Sequence, residues 1–564
     1  MVTIQKFLAQ LQKLCQPGIR VHVVGVVLLT IVMLGFQSST FFPGNGSLHD
    51  HGRGIVPNVS CSGPSDTKSP GTEESSVPHL VSAPVENISA KVSLRMEKVD
   101  VSGGTSLKPA GSPVDQRKKM RTKKRKMKEP DWTEDMNVRN CTREKDPRRR
   151  RRWANIPVRS IQEMNQMLVR NQRSSCTKAP EWSSPIDQQI LEARREILNA
   201  PIVEDDEELY PPIYRNFSTF KRSYELMEKM LKVYVYKEGD RPIFHEPLLS
   251  GIYAAEGWFM KHMEENNRFL VDDPAKAHLF YMPYGSATLR FKLFDPVIRN
   301  KGIMIDRLQT YVSTIASKYS FWNRTGGADH FSVACHDWAS LIKYKTMGDS
   351  IMAICNADVM GAFELGKDVS ITLTPVRNAK NPLQNVGGKP GRNRDTLAFF
   401  AGQPSHGYVR PLLLQHWGNG DPDIKVFGSL PKGGRTYAEH MKSSKYCLCP
   451  RGFEVNSPRL AEAFFYECVP VIISDNLVPP FFDVLNWEAF SVVVPVKDIP
   501  RLKEILQSIP RKKYLALQAG VKKVQRHFLW HNKPEKYDLF HTTLHSIWFN
   551  RVLQFRDQQT DEIS

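Results

Sequence analysis

The chain has 564 residues, 41% of them hydrophobic and 24% charged, and a formal net charge of +19. That length exceeds one ordinary core and calls for two or three domains. The charge would suit a nucleic-acid binder, but Arg117–Lys128 alone holds nine basic residues and no acid, and Arg148–Arg152 holds five more. With most of the excess in two short runs, the remainder is only mildly basic. This argues against a nucleic-acid partner and for solvated segments that attract polyanions through their field.

In chain order, Ile19–Phe36 is an apolar span with Lys6, Lys13 and Arg20 before it and no basic residue after it until Arg53. The asymmetry predicts a signal-anchor with residues 1–18 in the cytosol and the rest in a lumen. A cleaved signal peptide is the alternative. The short span suits an early secretory or Golgi membrane. Six N-x-S/T sequons follow, at Asn45, Asn58, Asn87, Asn140, Asn216 and Asn323, as expected of a luminal protein. Residues 37–208 have the composition of a disordered stem, with short amphipathic helices over Val158–Val169 and Ile186–Leu198.

From Tyr210 the pattern changes. Helical spacing over Tyr224–Leu231 leads into a strand at Lys232–Tyr236. Tyr253–Met263 and Ile303–Lys318 read as helices; His278–Pro283, Phe331–Cys335 and Val369–Leu373 read as buried strands. Asn385–Arg394, rich in Gly and basic residues, reads as an interdomain linker. Strands resume at Thr396–Phe400, Ile424–Phe427, Tyr446–Leu448, Val469–Ile473 and Phe490–Val494, followed by helices over Ile499–Ile509 and Lys513–Phe528. Alternating strands and helices in both halves predict two doubly wound α/β domains facing across a cleft, at 209–390 and 391–555, with a tail at 556–564. Cys335 and Cys355 are a plausible disulfide pair, whereas Cys447 and Cys449 alternate on one strand and cannot bridge each other.

Ser444–Asn476 carries the most information. It reads as a strand, a Pro/Gly/Asn/Ser-rich loop, a helix bearing Arg459 and Glu462, and a second strand. Such a unit puts loop and helix start at the carboxyl edge of a parallel sheet, where a diphosphate can bind. Glu462, one turn on, can reach sugar hydroxyls; an ordinary βαβ unit with a polar cap would need no ligand. Ser457 suits a helix N-cap with Pro458 at the first helical position. Asp421-Pro422-Asp423 matches a metal-binding D-x-D, but its Gly/Pro-rich surroundings read as a turn.

CPRGFEVNSPRLAEAFFYECVPVIISDN resembles the signature of the exostosin-like glycosyltransferases, family 47, in their plant branch. VYVYKEGDRPIFHEPLLSGIYAAEGWFM (233–260), DDPAKAHLFYMPYG (272–285), WNRTGGADHFSVACHDWA (322–339) and FDVLNWEAFSVVVPVKDI (482–499) extend the resemblance from about Tyr210 to Phe555. It implies a GT-B fold, a nucleotide-sugar donor, a glycan acceptor such as a cell-wall polysaccharide, and inversion at the anomeric carbon. It implies that the loop and helix start, with Arg451, Ser457 and Arg459, hold the diphosphate and that Glu462 holds the ribose. Arg410, in HGYVRPLLLQHW, reads either as a second phosphate ligand or as an ordinary surface arginine at a helix start. Asp337, with His336 beside it, is the expected base at the end of a strand facing the donor; His245 and Glu256 are alternatives. Trp322 and Trp338 are candidate sugar platforms. No obligatory metal or other cofactor is expected. A non-catalytic partner of the same fold, assembled with other glycosyltransferases, is the alternative function.

Overall fold

The structure, a computed structural model, describes residues 157–173, 180–298 and 300–555. The expected anchor, both basic runs, the sequons at Asn45, Asn58, Asn87 and Asn140 and the tail 556–564 lie outside them. Among the described residues no helix is long and apolar enough to cross a membrane.

Two five-stranded parallel sheets organise the body. The first holds β1 (Val233–Val235), β2 (Leu279–Tyr281), β3 (His330–Ala334), β4 (Ile351–Ile354) and β5 (Val369–Ser370), in the order β1-β2-β3-β4-β5. The second holds β6 (Thr396–Ala401), β7 (Ile424–Phe427), β8 (Ser444–Pro450), β9 (Val469–Ile473) and β10 (Val492–Val493), in the order β10-β9-β8-β6-β7. Every residue of β2 to β5 and of β9 is buried. Continuous apolar strands of this kind require helices on both sheet faces. In the second sheet the chain runs from β6 out to β7, then returns to the other side of β6 as β8. The order therefore reverses between β6 and β8, and a crevice opens at their carboxyl ends.

Two segments depart from the expected domain limits. The helices Ile161–Arg173 and Pro185–Leu198, expected within a disordered stem, are packed elements. Met164, Leu168, Ile190, Ala193 and Ile197 are buried in the common core. Pro185–Leu198 lies against the helices Phe217–Met230 and Leu539–Gln554. A narrow apolar stripe suffices once a partner covers it. At the other end, all sixteen residues of Leu539–Gln554 are buried. This helix crosses back onto β4 and β5, where Asn550 donates to the carbonyl of Lys367 at 3.3 Å and Gln554 to that of Gly366 at 2.8 Å. The last helix assigned to the donor half thus packs with the first sheet. The expected linker is fastened to the second lobe, because Arg394 is buried and donates to the carbonyls of Lys389, Met441, Ser444 and Tyr466.

A hydrogen-bonded seam joins the lobes. Asn456 donates to the Cys355 carbonyl at 2.6 Å, Val478 N–H to Ala357 at 2.9 Å, and Phe481 N–H to Ser370 at 2.7 Å. Asp358 and Leu477 form an antiparallel bridge beside them.

Arg324, buried under the N-terminal helices, pairs with Asp187 and lies 3.6 Å from Asp329. Asp187→Ala leaves that guanidinium short of a partner and is expected to cost about 3 kcal/mol in denaturant unfolding. Unchanged stability would mean that the N-terminal helices are not integral to the fold.

Candidate functional site

Three arginines converge at the crevice between β6 and β8. Arg459 begins the helix Arg459–Phe465, and its Nε donates to the carbonyl of Ala401, the last residue of β6, at 3.1 Å. Its guanidinium lies 4.8 Å from the Phe400 ring centre. Arg410, on the helix Val409–Trp417 after β6, is 6% exposed, and Arg451, directly after β8, is 7% exposed. The Nε of each is buried without a hydrogen-bond partner. None of the three has a carboxylate within ion-pair distance among the described residues. Burial and the neighbouring Arg459 pull Arg410 down to about 10. Buried, unpaired cations are costly, so the crevice is built for an anion. Glycine makes the close approach feasible: a Cβ at Gly402 would lie 2.1 Å from Arg459 Nη2.

Ser457 does not cap the helix. Pro458 occupies the cap position, and the buried Ser457 hydroxyl has no partner. It faces the same question as the arginines: a polar group buried and left free. Glu462 accepts from Tyr437 Oη at 2.6 Å and from Arg377 at 2.7 Å. A cavity beside it is lined by Pro375, Asn378, Leu383, Phe465, Tyr466 and Trp530.

Carboxylates face this crevice from the seam. The Cys335–Cys355 disulfide ties the ends of β3 and β4 together, as expected, and His336 and Asp337 follow it. Asn356 donates to Asp337 Oδ1 at 3.1 Å. Burial raises the Asp337 carboxyl, while hydrogen bonds from Tyr253 and Asn356 pull it back. Glu454, in the loop after Arg451, is pushed up to about 7 by burial and by the Asp337 charge, against the pull of Arg451. Two carboxyls from different lobes thus share one electrostatic environment.

The Exostosin GT47 domain model matches residues 227–509. A probable glycosyltransferase of Arabidopsis thaliana is 45% identical over 359 residues, covering 63% of this chain and 76% of that protein. A probable glucuronosyltransferase of rice is 31% identical, covering 56% and 80%. A probable beta-1,4-xylosyltransferase of Arabidopsis thaliana is also 31% identical, covering 56% and 81%.

The chain belongs to the exostosin GT47 family. It is a glycosyltransferase, and its two parallel-sheet lobes fit a GT-B-like fold.

In this exostosin GT47 protein the five expected donor residues lie on the loops and helices around the β6–β8 crevice. The alternatives for the base are committed elsewhere. Glu256 is buried and accepts from Ser286 Oγ, Ala287 N–H and Cys335 N–H, fixing the end of β3. His245 bonds Glu264 at 2.8 Å and the Glu238 carbonyl at 3.0 Å. His336 is held down to about 4 by burial, Arg290 and Lys301. Its Nδ1 accepts from Trp338 N–H at 3.2 Å, so the neutral ring carries its proton on Nε2 and cannot accept one there. Trp322 packs on His330 at the opposite end of β3 from Asp337. Trp322 precedes β3 and Trp338 follows it, so the two tryptophans lie at opposite ends of the strand. Asp421 closes its own turn, and Lys503 holds Asp421 at 3.0 Å and Asp423 at 2.9 Å. Cys447 bridges to Cys468, and Cys449 is free and buried. Asn216 and Asn323 are exposed. Sequence reasoning missed Glu454; the signal available was its place between Arg451 and Asn456 in the donor loop.

Gly402→Ala should displace Arg459 and weaken nucleoside-diphosphate affinity about tenfold, roughly 1.4 kcal/mol, while the fold survives; calorimetry reads this directly. Glu454 has a folded value above its unfolded one, so its penalty is absent below about pH 4.5 and grows as pH rises to about 7. Glu454→Gln should therefore stabilise the protein at pH 8 by about 1–2 kcal/mol, discounted for partial exposure, and hardly at all near pH 4.5. Melting curves at the two pH values check the sign.

Proposed function

We propose that this glycosyltransferase moves a sugar from a nucleoside-diphosphate donor to a cell-wall glycan with inversion. The observation that carries this reading is the cradle of Arg410, Arg451 and Arg459 at the reversal of strand order, facing Asp337 from the other lobe. The diphosphate occupies the cradle, with the Ser457 hydroxyl as a further donor to it. The nucleoside extends past Glu462 into the adjoining cavity, where the carboxylate meets the ribose. The acceptor hydroxyl attacks the anomeric carbon from the face opposite the diphosphate. Asp337 takes the hydroxyl proton as the new bond forms, and the leaving diphosphate keeps the electron pair of the broken bond. Burial, with the Asp337 charge added to it, holds the Glu454 carboxyl up at about 7. Three guanidinium groups supply the positive charge that the leaving group needs, so we propose no obligatory metal.

The N-terminal span, its flanking charges, the sequons and the disulfides support a type II protein of the Golgi lumen. The names of the relatives near 31% identity support a uronosyl or pentosyl donor, with galactose and arabinose as further candidates.

Arg410→Ala and Arg459→Ala should each weaken binding of a nucleoside diphosphate about tenfold to a hundredfold, roughly 1.5–3 kcal/mol. Asp337→Asn should spare that binding and abolish transfer. Unchanged affinity in both arginine variants would place the donor elsewhere. Full turnover by Asp337→Asn would remove the base, leaving the donor cradle untouched.

A further inference from the structure

Beside Asp337, and apart from the arginine cradle, lies a second group of cations. Lys301 Nζ sits 4.0 Å from the Trp338 ring centre, and the Arg290 guanidinium sits 5.3 Å from the same ring and 4.4 Å from that of Phe294. Trp338 packs edge-on against Phe294 and against His336, and Phe291, 60% exposed, meets His336 from the side. Neither Arg290 nor Lys301 has an ion-pair or hydrogen-bond partner for its side chain among the described residues. Their fields are felt locally, because both depress the His336 imidazole. Two cations that lie over aromatic rings with no acid beside them, next to the exposed Phe291 ring, combine what a carboxylate and a pyranose ring each need.

We propose that this platform binds an acidic glycan acceptor, with a uronate carboxylate held by Arg290 and Lys301 and a sugar ring against Trp338 and Phe291. Resting on the donor reading above, it names the acceptor's class. The cations lie near the base: the charges of Lys301 and Asp337 both act on Glu454, so a sugar held here lies within reach of the Asp337 carboxylate. The Asp337 carboxylate would repel the uronate from the base itself, which favours placing it on the cationic side. A neutral glycan would leave both cations without a partner and gain only the ring contact.

The test measures binding of an oligogalacturonide to the full chain, with the same oligomer fully methyl-esterified and a neutral xylo-oligosaccharide of equal length beside it. The acidic oligomer should bind at least tenfold more tightly than either, and the preference should shrink as salt rises. It should also disappear in the Arg290→Gln/Lys301→Gln double variant. Trp338→Phe should weaken all three oligomers alike. Affinity for a nucleoside diphosphate should be unchanged in every variant, which shows that the fold and the donor site are intact. Equal binding of acidic and esterified oligomers, failure to bind the acidic one, or a preference that survives the double variant would overturn the proposal. The last outcome would assign acid recognition to the basic runs at 117–128 and 148–152. Loss of nucleotide binding by the unmodified chain would instead sink the donor reading and leave acceptor binding standing.

Discussion

An uncompensated charge is the constraint on which the rest of the molecule depends. Arg410, Arg451 and Arg459 are brought to one crevice, and two of them are buried with an Nε left unbonded. A folded protein tolerates such a cluster only if packing elsewhere holds it there. The surrounding contacts meet that requirement. Arg459 is fixed by a strand-end carbonyl and two aromatic or glycine neighbours, not by an acid. The site is left electropositive, and in the function proposed here the anion that relieves it is the donor's diphosphate.

A second constraint sets the acid side of the reaction. The seam from Cys355 to Asp358 ties the first lobe to the donor loop and to the segment after β9. Glu256 fixes the end of β3 from below by accepting from Cys335 N–H. Asp337 and Glu454, from different lobes, are thereby held close enough to split their ionisations. Opposite charges on the two sides of one crevice fit the proposed reaction, in which leaving-group charge and proton removal would be served by different lobes.

The sheet-forming parts were legible because parallel strands are continuous apolar runs, and the β8–β9 unit carried its own punctuation. The short strand β4 escaped notice: Ile351–Ile354 is four residues long with no periodicity of its own. The helix Leu539–Gln554 escaped for the opposite reason, since burial on every side removes the amphipathic pattern. The N-terminal helices were seen but assigned to a stem, because sequence spacing reveals an apolar stripe and not the partner that covers it. Within the candidate site, Arg451 and Arg459 were legible from the loop after β8 and the helix start that follows it. Glu454 was not, because its significance comes from Asp337, more than a hundred residues earlier. Of the two roles expected for Ser457, helix cap and phosphate contact, the first is taken by Pro458.

A structure of the protein with a nucleoside diphosphate bound tests the central claim most directly. The account predicts the diphosphate among Arg410, Arg451 and Arg459, with the buried Nε atoms and the Ser457 hydroxyl now partnered and the ribose at Glu462. A diphosphate bound away from these arginines, or arginines paired with carboxylates in the unliganded protein, would contradict it.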